Sequence, residues 1–134
     1  MNLFYRRKID IKSEQGQSLT EFALALPVLA LLLFAVIQFG IAFNNYVTLT
    51  DATRAGARKA AVGRQLSNPS SATVTAVRAS AQDLKQSDLS ITVTSTWQPG
   101  ADVAVKATYP YSISLLGMVV KSGRLSSTTT ERVE

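Results

Sequence analysis

The carboxylate of Glu21 stands immediately before residues 22–43, FALALPVLALLLFAVIQFGIAF, a run with no charge. An ion beside such a run has to be solvated, capped or paired, because a lone charge in an apolar medium is costly. One answer is local. Ser18, Leu19, Thr20 and Glu21 fit the capping box S-x-x-E, with Ser18 capping a helix and Glu21 returning a hydrogen bond to the Ser18 amide. A negative charge in the first turn also suits the helix dipole. The other candidate acids, Asp51, Asp83, Asp88 and Asp102, are scattered over different elements and form no acid–base or metal constellation. The chain has no cysteine and no histidine, which removes thiol and imidazole nucleophiles, disulfides and the usual zinc ligand sets. Neither enzymatic activity nor a cofactor or metal site is expected.

The element that positions Glu21 is the run itself. As a helix rising about 1.5 Å per residue it spans roughly 33 Å, which matches a hydrocarbon core of about 30 Å. Only Pro27, Gln38 and Gly40 interrupt it, and it shows almost no polar face, unlike a helix buried in a soluble protein. A membrane span is expected over about 22–43, with Pro27 tolerable as a kink. A secretory signal would also begin with a basic stretch, but this run is long for one and no small-x-small cleavage site follows it.

At 134 residues the chain has room for one modest domain besides that anchor. The net charge of +5 is not gathered into a patch interleaved with aromatics, which argues against nucleic acid as a partner. Arg6, Arg7, Lys8 and Lys12 precede the run, and Arg54, Arg58, Lys59 and Arg64 follow it. The two groups suit membrane surfaces, and their balance leaves orientation undetermined by charge counting.

The flanks of the run form a pattern. A short basic leader, Gly16, four uncharged residues, Glu21, Phe22 and then the apolar run resemble the processing site of type IV prepilins, and a glutamate followed by an aromatic resembles the tight-adherence group. About thirty residues after the glutamate, ATRAGARKAA over 52–61 is similar to the A-x-R-x-G-A-R-x-A stretch of TadE-like proteins, with Arg54, Gly56, Ala57 and Arg58 at matching positions. That resemblance implies a minor pilin or pseudopilin of a tight-adherence (Flp-type) secretion system. It further implies a membrane peptidase cutting between Gly16 and Gln17, an inner-membrane location with the N-terminus cytoplasmic and the C-terminal domain exported, and possible passage into an extracellular pilus. The implied partners are the prepilin peptidase, other pilin or pseudopilin subunits in a hetero-oligomer, the inner-membrane assembly platform and the lipid bilayer. In the family the glutamate meets the free amine at the head of a neighbouring helix; either charge alone is expensive in a low dielectric, and together they partly cancel. Two residues depart from the pattern: Gln17 stands where many prepilins have phenylalanine, and Phe22 where tight-adherence pilins often have tyrosine.

Beyond Phe43 the alanine-rich stretch up to Gly63 is strongly helix-forming, so one long helix is expected from about Ser18 to about Gly63, with small residues that allow close approach by another helix or by the globular domain. LSNPSS over 66–71 is a turn and helix start, and Val74, Val77, Ala81 and Leu84 predict a short amphipathic helix over about 72–86. The period then changes to two. Leu89, Ile91, Val93 and Trp97 share one strand face, QPGAD makes a turn, and Val103, Val105, Ala107 and Tyr109 share the face of a second strand that Pro110 is expected to end. An apolar connection and a threonine-rich third strand, RLSSTTTERVE, complete the chain. Trp97 and Tyr109 are expected in packing rather than ligand binding. The expected class is α+β: a leader over 1–16, a long N-terminal transmembrane helix over 17–63, and a small exported domain over 64–134 with a short helix and a three-stranded antiparallel sheet. Residues 113–120 or the open sheet edge are candidate subunit contacts. The competing class is an uncleaved single-pass anchor whose exported domain binds a secretion component or surface ligand.

Overall fold

The computed structural model of the chain describes residues 14–115 and 117–134. The basic residues of the expected leader, Arg6, Arg7, Lys8 and Lys12, lie outside the described residues. Helix α1 runs over Glu14–Ala61, about 72 Å of continuous helix, and passes through Pro27 without a break. Its end is closed by a hydrogen bond from the Gly63 amide to the Ala60 carbonyl, 3.1 Å. Helix α2 covers Pro69–Ser80. Asn68 caps it by accepting from the Ser71 amide at 2.9 Å, and Pro69 occupies the first turn, where a missing N–H costs nothing. Strands β1 (Ser90–Ser95), β2 (Asp102–Leu115) and β3 (Met118–Arg132) form one antiparallel sheet in the order β1-β2-β3. The architecture is the α+β class read from the sequence.

The sheet and α2 pack on the outer half of α1 alone. Leu49, Ala52, Ala57 and Ala60 of the helix are buried against Val77 of α2, Val103, Val105 and Ala107 of β2, and Val133. The period-two faces of Ile91 and Val93 and of Val103, Val105 and Ala107 are as expected, but Trp97 lies beyond the end of β1, with φ 56°, and packs with Ile91, Val93 and Tyr109 at the margin of this core. Tyr109 also accepts from the Lys85 amide at 3.3 Å, so its hydroxyl is used in packing. The alanines keep the helix close to the sheet, and the amide of Glu134 donates to the Ala61 carbonyl at 2.9 Å, tying the last residue to the end of α1.

Two expectations about the sheet need correction. Pro110 does not end β2: the strand continues through it to Leu115, and β3 pairs with it from Met118 onward. The reason is that β1 pairs with β2 no further than Thr108, so Pro110 lies on a two-stranded stretch with an open edge, where a missing amide can be accommodated. The expected apolar connection is therefore the end of a long hairpin, turned at Gly117, whose φ of 83° is a conformation that favours glycine. The third strand also begins earlier than its threonine-rich portion. Its alternation is weak because its inner face carries Ser127 and Thr129, which share hydrogen bonds of 3.1 and 3.0 Å with Thr53 of α1.

Candidate functional site

The predicted site residues fall into two groups on α1. Gly16, Gln17, Glu21 and Phe22 lie in its first turns, and Arg54, Gly56, Ala57 and Arg58 lie near its other end. With Glu21 and Arg54 separated by 33 positions, the groups are about 50 Å apart along the helix and form no common centre within one chain.

At the N-terminal group the helix begins before the predicted cap. Because α1 starts at Glu14, Ser18 is inside the helix rather than at its N-cap, and the capping-box arrangement does not describe the uncut chain. Glu21 instead accepts from Gln17 Nε2 at 3.1 Å, an i,i+4 pair, and Thr20 Oγ1 donates to the Gly16 carbonyl at 2.9 Å. Glu21 is exposed, and Phe22 is 59% exposed. The Gly16–Gln17 bond is thus in helical backbone in the uncut chain.

Over residues 23–41 the helix is almost without a partner within the chain. Leu24 is 74% and Val36 70% exposed, and the most apolar window of the helix is wholly unburied. Large side chains point outward in every direction, so this half of α1 has no hydrophobic burial within the chain and requires an apolar surrounding. The helix is long and apolar enough to cross a membrane once. Gln38 is the exception: it is half-buried, as are Ala42 and Asn45, on the face that continues to Leu49.

At the outer group the chain's own domain fills the small-residue face. A Cβ on Gly56 would overlap Cγ2 of Val77 and touch Val105, and Ala57 is fully buried. Arg54 and Arg58 are exposed, and Arg54 pairs with Asp51 at 3.4 Å. Arg58 and Lys59 lie in the last turn, where cations favour the helix dipole. Asp88 and Asp102 meet surface cations in the same way, Asp88 with Lys85 at 3.4 Å and Asp102 with Arg132 at 4.0 Å. Sequence reasoning missed Thr53, whose hydroxyl joins helix to sheet; it falls on the helical stripe of Leu49, Ala57 and Ala60, which was the available signal.

These features define a class: an α+β chain that fits a single-pass membrane protein, with one apolar N-terminal helix carrying a small sheet domain on its outer half. Residues 16–58 match the family model described as TadE-like protein, in agreement with the resemblance read from Gly16, Glu21 and residues 52–61. The match covers the helix that carries both predicted groups. No curated protein and no solved structure matches the chain.

Proposed function

We propose that the chain is a structural subunit of a tight-adherence pilus or secretion system, inserted in the inner membrane, cleaved after Gly16 and assembled through the apolar half of α1. The TadE-like match supports the association with such a system. The observation that carries the role is the division of α1: the small-residue face of its outer half is buried by the chain's own domain, whereas residues 17–37 are left without a partner in the chain. Within that half Glu21 is the one charged group. After cleavage Gln17 would bear a free amine one turn from Glu21, and the carboxylate would be available to the amine of an adjoining subunit, fixing the axial register of two helices. The role is one of assembly rather than of an enzyme, with the sheet domain exported and the amino terminus cytoplasmic.

The uncleaved anchor is favoured by one specific feature, the helical state of the Gly16–Gln17 bond in the uncut chain. A peptidase must unwind the first turn to reach it, which glycine eases, since it disfavours helix by about 1 kcal/mol relative to alanine. Co-expression with a prepilin peptidase, followed by N-terminal sequencing, separates the two readings. The expected product is a chain beginning at Gln17 for wild type and an intact leader for Gly16→Ala. An intact wild-type leader beside a working peptidase would establish the anchor.

A further inference from the structure

We propose that the end of the β2–β3 hairpin, built from Ile113, Leu115 and residues 118–120, is seated in the headgroup and upper acyl layer of the same bilayer that α1 crosses. This rests on the reading of α1 as a membrane span. The first reason is position. Gln38, Ala42 and Asn45 are half-buried, and with Ile41 they line one cleft together with Tyr109, Pro110, Tyr111 and Ser112 of β2. Gln38 is five residues inside the uncharged run, about 7–8 Å along the helix from its end at Phe43. The strand has therefore come alongside the membrane segment by Ser112, and Ile113 and Leu115 are further along it.

The second reason is composition. Residues 107–120 carry no charge. Met118 is 70% exposed and Val119 and Val120 are each 64% exposed, although successive residues of a strand point to opposite faces. A protein partner docking on one face would leave the other in water; lipid surrounds both. The third reason is the collar behind the apolar end. Lys121 pairs in register with Ile113, Gly123 with Tyr111 and Arg124 with Pro110, so two cations and two tyrosines border the apolar residues. The ring of Tyr111 lies over Gly123, where a Cβ would be 2.9 Å from it. Cations that reach phosphates and amphipathic rings at the water boundary are the composition of a membrane interface. Depth is limited by the backbone: with β1 ending its pairing at Thr108, this stretch is only two strands wide, and open strand edges are not tolerated in the hydrocarbon centre.

The cysteine-free chain permits single-cysteine labelling without background. The full chain carrying Val119→Cys, Val120→Cys, Leu32→Cys or Thr94→Cys, each bearing an environment-sensitive fluorophore, is reconstituted in phosphatidylethanolamine–phosphatidylglycerol vesicles. Quenching is then compared between nitroxides high on the acyl chain, nitroxides near its end, and aqueous iodide. Expected are shallow-nitroxide quenching at both 119 and 120 at least two-fold above that at 94, deep-nitroxide quenching at 32, and iodide access at 94 alone. Iodide access at 119 or 120 with 32 still quenched by lipid overturns the hairpin proposal and leaves the span intact. Iodide access at 32 as well overturns the span and the hairpin proposal together. Shielding of 119 and 120 from iodide and nitroxide alike, rising with the protein-to-lipid ratio, assigns the surface to a second copy and also overturns the proposal.

Discussion

Gly56 of α1 lies so close to Val77 of α2 that a β-carbon on the glycine would overlap the valine Cγ2. Helix α2 is held against the long helix at Gly56, where α1 presents bare backbone, with Ala57 and Ala60 completing the contact. The glycine is thereby explained by close approach, since in isolation it weakens the helix by about 1 kcal/mol relative to alanine.

Gly56→Ala is expected to destabilise the domain by about 1–2 kcal/mol net, because overpacking of typically 1–3 kcal/mol exceeds the gain in helix propensity. In a Val77→Ala background the same change should be neutral or stabilising, since the atom it meets is gone. Thermal unfolding of the four members of this double-mutant cycle in detergent measures the coupling; an equal loss in both backgrounds would contradict the contact.

Thr53 tests the junction of helix and sheet. Its hydroxyl donates to the Thr50 carbonyl at 2.8 Å and shares hydrogen bonds with Ser127 and Thr129. Thr53→Val keeps the shape but removes the partner of two inward hydroxyls, and a loss of about 1–3 kcal/mol is expected. Thr53→Ser keeps the hydroxyl and should cost less. Denaturant midpoints of the two variants in the same detergent provide the comparison, and equal values would show that the network adds nothing.

Glu21→Gln tests assembly. The substitution removes the charge while retaining length and an acceptor oxygen, so membrane insertion and removal of the leader should proceed as in wild type. Subunit association, read by crosslinking in membranes after processing, should fall several-fold. Undiminished crosslinking would mean that Glu21 serves its own helix, as its hydrogen bond with Gln17 does in the uncut chain.

The local pattern alone determined much of this protein. A charge-free run of membrane length admits few structures other than a helix, because backbone groups in lipid must be satisfied within the segment. The alternation in Ile91, Val93 and in Val103, Val105, Ala107 likewise specified two strands and the face of each. What escaped the sequence was decided by neighbours. Pro110 reads as a strand end until it is known that β1 has already left that edge. Ser127 and Thr129 read as solvent-facing until Thr53, more than seventy residues away in the chain, supplies their partner. Gln38 reads as a defect in a membrane helix until the hairpin partly covers it. Secondary structure here follows from short-range periodicity and the apolar demand of each segment. The tolerance of an imino acid, the burial of hydroxyls and the use of a small residue depend on atoms brought near only by folding, and the tertiary structure decided them.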